Sequence, residues 1–463
     1  MLHVSNLRLG FANNSSSSHS IVFFPGVGNR STSYGRYEFG WEYFKLASKD
    51  SKLDYLLVAL ANNLQYQLGK ELAKTVMLQL SGKDYIDDEV FDGYIDHQSA
   101  ITFPQPFVGV GIDPEFYTDF QNYVLKDGVV IFGGNDNDDS GDNGGTKELP
   151  DGITELHNTV ARKDGQVWAL FNRLNGNKFR FSFDGEIEYT KSSLPELVDI
   201  KITDYCPYGC EFCYQGSTVD GKHANDYYLS LLANQLGKYK VFEVALGGGE
   251  PTLHPNFVKI LQGFREEGVV PNFTTRNLAW ITGPDKDKIL EYCGSFAYST
   301  ENTFDIIKLA KLLEEHKVPK NRVTVQLVSG AMSANTMKSL CKTCLENDIN
   351  FTILGYKNTG RGQDFKPLAT SDETWDSLMQ LRGEYPYRKI GIDTVFAEAI
   401  QDRLAEMKIS PILYHTKDGM FSCYIDAVQE RIAPSSYCLE SDYVALKRNN
   451  LDFQDIYRSF ATK

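Results

Sequence analysis

Three of the eight cysteines in this 463-residue chain lie in one short stretch, TDYCPYGCEFCYQG (203–216), as Cys206, Cys210 and Cys213 at the spacing C-x3-C-x2-C. Three thiolates on one loop suit a soft metal or an iron–sulfur cluster. Structural zinc asks for four protein ligands, often as two C-x2-C pairs, and none is supplied nearby. His223, ten residues beyond Cys213, lies outside the usual zinc spacing. Three ligands leave one iron of a four-iron cluster open to bind a substrate or cofactor. A degenerate zinc loop is the structural alternative.

The elements that must position this loop are strands alternating with helices from about residue 196 onward. LVDIKIT precedes the cysteines and a helix over 225–237 follows. VFEVAL leads into LGGGEP and a helix over 256–268. VPNFTT, SFAYST, RVTVQLV and NFTILG continue the strands, with helices at DKDKILEYCG, 303–316 and 334–347 between them. This alternation predicts an α/β fold, a partial (β/α)6 parallel barrel over 196–365. In such barrels the loops after the carboxyl ends of the strands build the active site, and both unusual motifs sit there.

Residues 1–190 read as a separate α+β domain of unknown role, with substrate recognition as the candidate. Its strand-like pieces are SIVFF, GVVIF, QVWALF and KFRFSF, and its one amphipathic helix spans about 52–81. In the Gly/Asn/Asp loop 133–145, Asp136, Asp138, Ser140 and Gly141 imitate the first half of a calcium loop, but Lys147 stands where a bidentate Glu is required. An acidic loop is the better reading. The run SSSSH (15–19) reads as a loop, with an anion-binding turn as the alternative. The tail, 366–463, reads as a C-terminal extension of the sheet that caps the barrel.

Composition bounds the function classes. Hydrophobic residues make up 42% and charged residues 23%, ordinary for a globular protein, and no apolar run reaches the length of a membrane helix. The N-terminus lacks the features of a secretory signal, so a cytoplasmic protein is expected, with no membrane partner. The net charge of −14 counts against nucleic acid, because phosphate neutralisation supplies most of such affinity.

In several features falling in order, the sequence resembles the radical S-adenosylmethionine (radical SAM) enzymes. Cys206, Cys210 and Cys213 match the family's C-x3-C-x-aromatic-C signature with Phe212 as the aromatic residue. Gly248, Gly249, Glu250 and Pro251 match its GGEP motif. Ser299 and Glu301 fall where the fourth strand contacts the ribose, and Leu354 and Gly355 where the sixth contacts adenine. The resemblance implies a [4Fe-4S] cluster on the three cysteines, S-adenosylmethionine on its open iron, and reductive cleavage to a 5′-deoxyadenosyl radical that takes hydrogen from substrate. It further implies Glu250 on the cofactor's amino group, and glycines 248 and 249 allowing close backbone approach to the ligand. Arg276 either holds the cofactor carboxylate or pairs on the surface. A flavodoxin- or ferredoxin-type electron donor is implied as well.

The other cysteines leave two readings open. The tail faintly resembles the SPASM or twitch extension of peptide-modifying members, which would place an auxiliary iron–sulfur cluster among Cys341, Cys344, Cys423 and Cys438. The simpler reading makes Cys341 and Cys344 half-buried helix residues that behave as small apolar groups. Cys423 is a candidate hydrogen-atom donor, with a plain strand residue as its alternative. The expected substrate is a peptide or protein side chain. Radical modification of a nucleotide, tRNA or small metabolite is the second class, and a non-catalytic iron–sulfur protein the third.

Overall fold

The computed structural model describes residues 3–8, 24–25, 36–39, 44–95, 101, 103–106, 111–127, 129–133, 158–185, 191–385, 390–410, 413–448 and 453–460. Both the serine run 15–19 and the body of the acidic loop 133–145 lie outside these residues. The chain divides into two compact units. The first comprises Met1–Leu7, Ser18–Leu174 and Lys178–Glu188, and the second Arg8–Ser17, Asn175–Asn177 and Tyr189–Lys463.

The first unit carries a four-stranded sheet whose last three strands, Thr159–Asp164, Val167–Asn172 and Lys178–Ser182, pair antiparallel in succession. Its core is aromatic, with Phe103, Tyr117 and Trp168 buried. The helix expected over 52–81 is two helices, Lys49–Leu68 and Lys70–Ser81. They break at Gly69, whose φ of 75° and ψ of 160° leave the helical region. Only glycine adopts such a conformation at little steric cost, and the apolar periodicity on either side does not report it.

The second unit is built on a ten-stranded sheet. Its first six strands are β1 (Leu197–Thr203), β2 (Glu243–Gly248), β3 (Val270–Thr275), β4 (Phe296–Ser299), β5 (Val323–Val328) and β6 (Asn350–Leu354). The tail adds β7 (Gly391–Ile392), β8 (Ser422–Asp426), β9 (Arg431–Ala433) and β10 (Val444–Ala445). The sheet order is β7-β6-β5-β4-β3-β2-β1-β8-β9-β10. Every pair from β7 to β8 is parallel, and the pairs β8–β9 and β9–β10 are antiparallel.

Helices follow β1 to β6: α1 (Asp226–Lys238), α2 (Phe257–Glu266), α3 (Lys286–Tyr292), α4 (Thr303–Glu315), α5 (Ala334–Glu346) and α6 (Ser371–Glu384). Their starts are written in the sequence. Asn225, Asn302 and Ser333 accept backbone N–H bonds at the N-termini of α1, α4 and α5, and Thr370 with Glu373 forms a capping box at α6. Alternate strand residues (Val198, Ile200, Val244, Leu246, Val325, Ile353) join helix residues such as Leu232, Leu261, Leu309 and Leu340 in one apolar core. Strands paired in consecutive order are the winding of a partial (β/α)6 barrel. A doubly wound sheet would reverse its strand order at a switch point.

The tail completes the sheet non-locally. β8 pairs parallel to β1, with Val198 opposite Cys423 and Lys201 opposite Asp426. Among the described residues no helix is long and apolar enough to cross a membrane.

Candidate functional site

The cysteine loop leaves the carboxyl end of β1. It is pinned at its base where Cys206 N donates to Thr218 O and Thr218 N donates to Asp204 O, at 2.8 and 3.2 Å. Cys206, Cys210 and Cys213 are half-buried free thiols. Burial pushes the thiols of Cys206 and Cys210 up, and at Cys210 the Arg276 guanidinium opposes it. Among the described residues no three His, Cys, Asp or Glu side chains converge as a single-ion site. A four-iron cluster asks something different, one thiolate on each of three separate irons.

The GGEP turn at the end of β2 abuts this loop. Gly249 N donates to Thr203 O (2.7 Å) and Glu250 N to Tyr205 O (2.8 Å). A Cβ on Gly248 would stand 2.3 Å from Thr203 O, and one on Gly249 2.1 Å from Tyr205 O. These two glycines therefore let the turn press against the protein's own backbone. Gly247, which the resemblance passed over, has open space where its Cβ would be. It lies opposite Lys201 in the sheet, on the face away from the apolar core.

Glu250 is buried, at 1% exposure, and heavily engaged. Its Oε1 accepts from Thr252 N (3.2 Å), Thr252 Oγ1 (2.6 Å) and Thr275 Oγ1 (2.6 Å), and its Oε2 accepts from Arg276 N (2.8 Å). The carboxylate thus ties β2 to the end of β3, and Oε2 keeps one lone pair for an incoming donor. Pro251 is buried at the first position of the one-turn helix Pro251–Leu253, where its missing N–H costs nothing.

Arg276 is neither a surface pair nor a free cation. Its Nη1 lies 2.9 Å from Cys210 Sγ and 2.9 Å from Glu301 Oε1, while Nη2 donates to Glu301 Oε2 at 2.5 Å. Burial works against its charge, but the Glu301 carboxylate and the Cys210 thiol hold the guanidinium's pKa above its ordinary value. Glu301, expected at the ribose, is bound by this fork on both oxygens. Spacing alone gives no sign of the Arg276–Glu301 pair, because its members come from different strand ends.

The remaining predicted residues divide. Ser299 ends β4, opposite Gln326 and half-exposed. Phe212 packs edge-on to Phe365 at 5.9 Å. Leu354 closes β6, half-buried. Gly355 instead meets the tail: its N–H donates to Asp393 Oδ1 at 2.8 Å, and a Cβ would stand 2.4 Å from Val395 Cγ1. Its glycine is required by that packing.

Cys423 lies opposite Val198 on β8, in the apolar core beside the helices, at 1% exposure. Its neighbours in register with Asp199 and Lys201, Tyr424 and Asp426, occupy the other face, so Cys423 packs among apolar strand and helix residues. Cys341 and Cys344 are likewise wholly buried in that core on α5. Cys438 is half-buried, with its Sγ 3.1 Å from Ser435 Oγ.

Residues 200–299, which run from β1 to the end of β4, match the family model of the Radical SAM superfamily. The chain carries a radical SAM domain. A curated relative, a probable GTP 3′,8-cyclase from Saccharolobus solfataricus, is 34% identical over 78 residues, 16% of this chain. The match covers about a quarter of that relative's length (24%). Among solved structures, the crystal structure of Streptococcus suis SuiB is similar at 14% identity over 66% of this chain and 90% of that one, with a TM-score of 0.49. SuiB bound to the precursor peptide SuiA gives 18% identity over 58% and 68%, with a TM-score of 0.46. A third, native anSMEcpe with bound AdoMet, gives 13% over 57% and 84%, with a TM-score of 0.39.

Around the cysteine loop of the radical SAM domain the residues fit the groups its family uses. Three thiols free of disulfides would serve as cluster ligands, and Arg276 would offset the charge that their thiolates bring. The open side of Gly247 and the spare lone pair of Glu250 give a ligand room and an acceptor.

Proposed function

We propose that the protein is a radical SAM enzyme acting on a peptide or protein side chain. One observation carries the chemistry: three free thiols on the loop after β1, inside the stretch that matches the family model. Cys206, Cys210 and Cys213 would hold a [4Fe-4S] cluster. S-adenosylmethionine would lie toward Glu250, Gly247, Ser299 and Leu354. When bound, cluster and cofactor together supply an electron and a 5′-deoxyadenosyl radical, chemistry no side chain offers.

The chain's own residues bind and orient. Glu250, fixed by four donors, presents an immobile carboxylate to the cofactor's ammonium group. Arg276 keeps positive charge beside Cys210 and stays aligned by its fork on Glu301. Phe212 packs edge-on against Phe365 on one side of the loop.

The peptide reading rests on the acidic charge, which disfavours phosphate-rich partners, and on a first unit folded separately and available to capture a partner. Modification of a nucleotide is the second reading, favoured by the 78-residue match to a probable GTP 3′,8-cyclase. A flavodoxin- or ferredoxin-type donor would supply the electron. Eight free cysteines are in keeping with a reducing, cytoplasmic compartment.

Anaerobic reconstitution followed by iron analysis tests the chemistry. About four irons per chain are expected, together with 5′-deoxyadenosine on incubation with S-adenosylmethionine and reductant. Replacing Cys206, Cys210 and Cys213 together by Ala abolishes both. Full cleavage by that variant, or zinc in place of iron, would sink the proposal. Copurification of peptide as against nucleotide then separates the two substrate classes.

A further inference from the structure

The segment after β6 is expected at the adenine, yet most of its polar contacts go elsewhere. Arg361 lies in the short helix Gly360–Gln363, and its Nε donates to Cys210 O at 2.9 Å while Nη1 donates to Ser217 O at 2.8 Å. Its backbone N–H donates to Cys213 O at 3.0 Å. Two residues earlier, Thr359 Oγ1 donates to Tyr214 O at 3.2 Å. Between them Gly360 has a φ of 57°, and a Cβ there would stand 2.5 Å from Tyr214 O and 2.7 Å from Cys213 O. Four hydrogen bonds and one obligatory glycine therefore dock this segment on the backbone of the cysteine loop. Arg361 Nη2 is buried without an acceptor among the described residues, so the side chain keeps a spare donor.

We propose that Arg361 is a positioning residue for the cluster, resting on the radical SAM reading of the three thiols. Through one guanidinium and one backbone N–H it fixes the main chain at Cys210 and Cys213, two of the three ligands, and so sets their separation. A loop of this length that already bends through Gly209 and Gly216, both at positive φ, has little stiffness of its own. The planar fork of arginine can hold two carbonyls at fixed angles, which a lysine cannot. The same charge sits on the backbone of the loop that would hold the cluster, where it would favour the reduced, more negative state. Arg361 thus makes the end of β6 and the cysteine loop one body, and the cofactor's adenine side is tied to the cluster's geometry.

The test uses the full chain, anaerobically reconstituted, with R361Q, R361K and the unaltered protein side by side. The readouts are iron retained under an iron chelator, the midpoint potential, and the electron paramagnetic resonance spectrum with and without S-adenosylmethionine. R361Q is expected to lose iron on the order of tenfold faster, since charged hydrogen bonds to the loop are gone, and to titrate at a more negative potential. R361K is expected to restore the potential by keeping the charge, while still losing iron faster because the fork is gone. If R361Q matches the unaltered protein in iron loss, potential and spectrum, Arg361 only fills space and the inference fails while the functional reading stands. If R361Q does not fold, as circular dichroism would report, R361K decides alone: iron retention equal to the unaltered protein overturns the inference. An unaltered protein that binds no iron removes the reading beneath it instead.

Discussion

On the face of the large sheet that meets the helices, successive strands present Val198, Ile200, Val244, Leu246, Val325, Ile353 and Ile425, all but sealed from solvent. The positions between them read Asp199, Lys201, Glu243, Asn272, Thr352 and Asp426, and all but Asp199 are as deeply buried. Two faces of one sheet, the polar one drier at some positions than at others, are held by different physics. The apolar face is stabilised by area and shape, and its residues are interchangeable within limits of volume. On the polar face each group must find a named partner. Asn272 Nδ2 donates to Glu243 Oε2 (2.9 Å), and Lys201 pairs with both Asp204 and Asp426 at 2.8 Å. Such pairing adds little net stability, so its presence across a whole face points to binding and chemistry there.

Leu246→Ala should have the largest effect on stability. It opens a cavity in the apolar face two residues from Gly248 and should cost about 3 kcal/mol in urea denaturation while the chain still binds iron. A loss under about 1 kcal/mol would mean that this face is loosely packed and the contrast overstated. Cys423→Ser should come next, at about 1.5 kcal/mol, because a hydroxyl is placed among Val198 and its apolar neighbours without a partner. Substrate turnover by the folded variant should be unchanged. Full stability with turnover lost would return Cys423 to the chemistry and break the assignment of faces.

The apolar face is also the part that was legible in the sequence. Its strands and helices announce themselves by alternation and by caps such as Asn225 and Ser333, and the order of the first six strands follows from winding rules. The cysteines and the GGEP turn were legible because their types and spacing are rare. What could not be read were relations between residues far apart in sequence. Nothing around residue 423 signals that β8 will pair with β1, and therefore which way Cys423 will face. Glycines 248 and 249 could be read as special but not as packed on Thr203 and Tyr205. The fork of Arg276 on Glu301 and the reach of Arg361 to Cys210 depend on strand ends that only the fold brings together. In the first unit, Gly69 broke a helix whose periodicity ran straight through it.

Asp199→Asn should have the smallest effect, and it sharpens the comparison by its dependence on pH. Burial raises the Asp199 pKa to about 6, with Lys357 acting against the shift and Asp418 adding to it. The unfolded carboxyl titrates near 3.9, so between roughly pH 4 and 6 the native state binds more protons than the unfolded one. Stability therefore falls as pH rises through that window, and the penalty is complete above pH 6. Asparagine carries no charge to desolvate. The variant should gain on the unaltered chain as pH rises from 4.5 to 8, by at most about 2 kcal/mol and by less as solvent screens the partly exposed carboxylate, read as urea midpoints on the metal-free protein. Asparagine cannot reproduce an ionised acceptor, however, so the same variant should weaken whatever ligand uses this face. A stability difference that stays flat from pH 4.5 to 8 would mean that Asp199 is solvated, and that the polar face at this position opens to water instead of being held dry for a substrate.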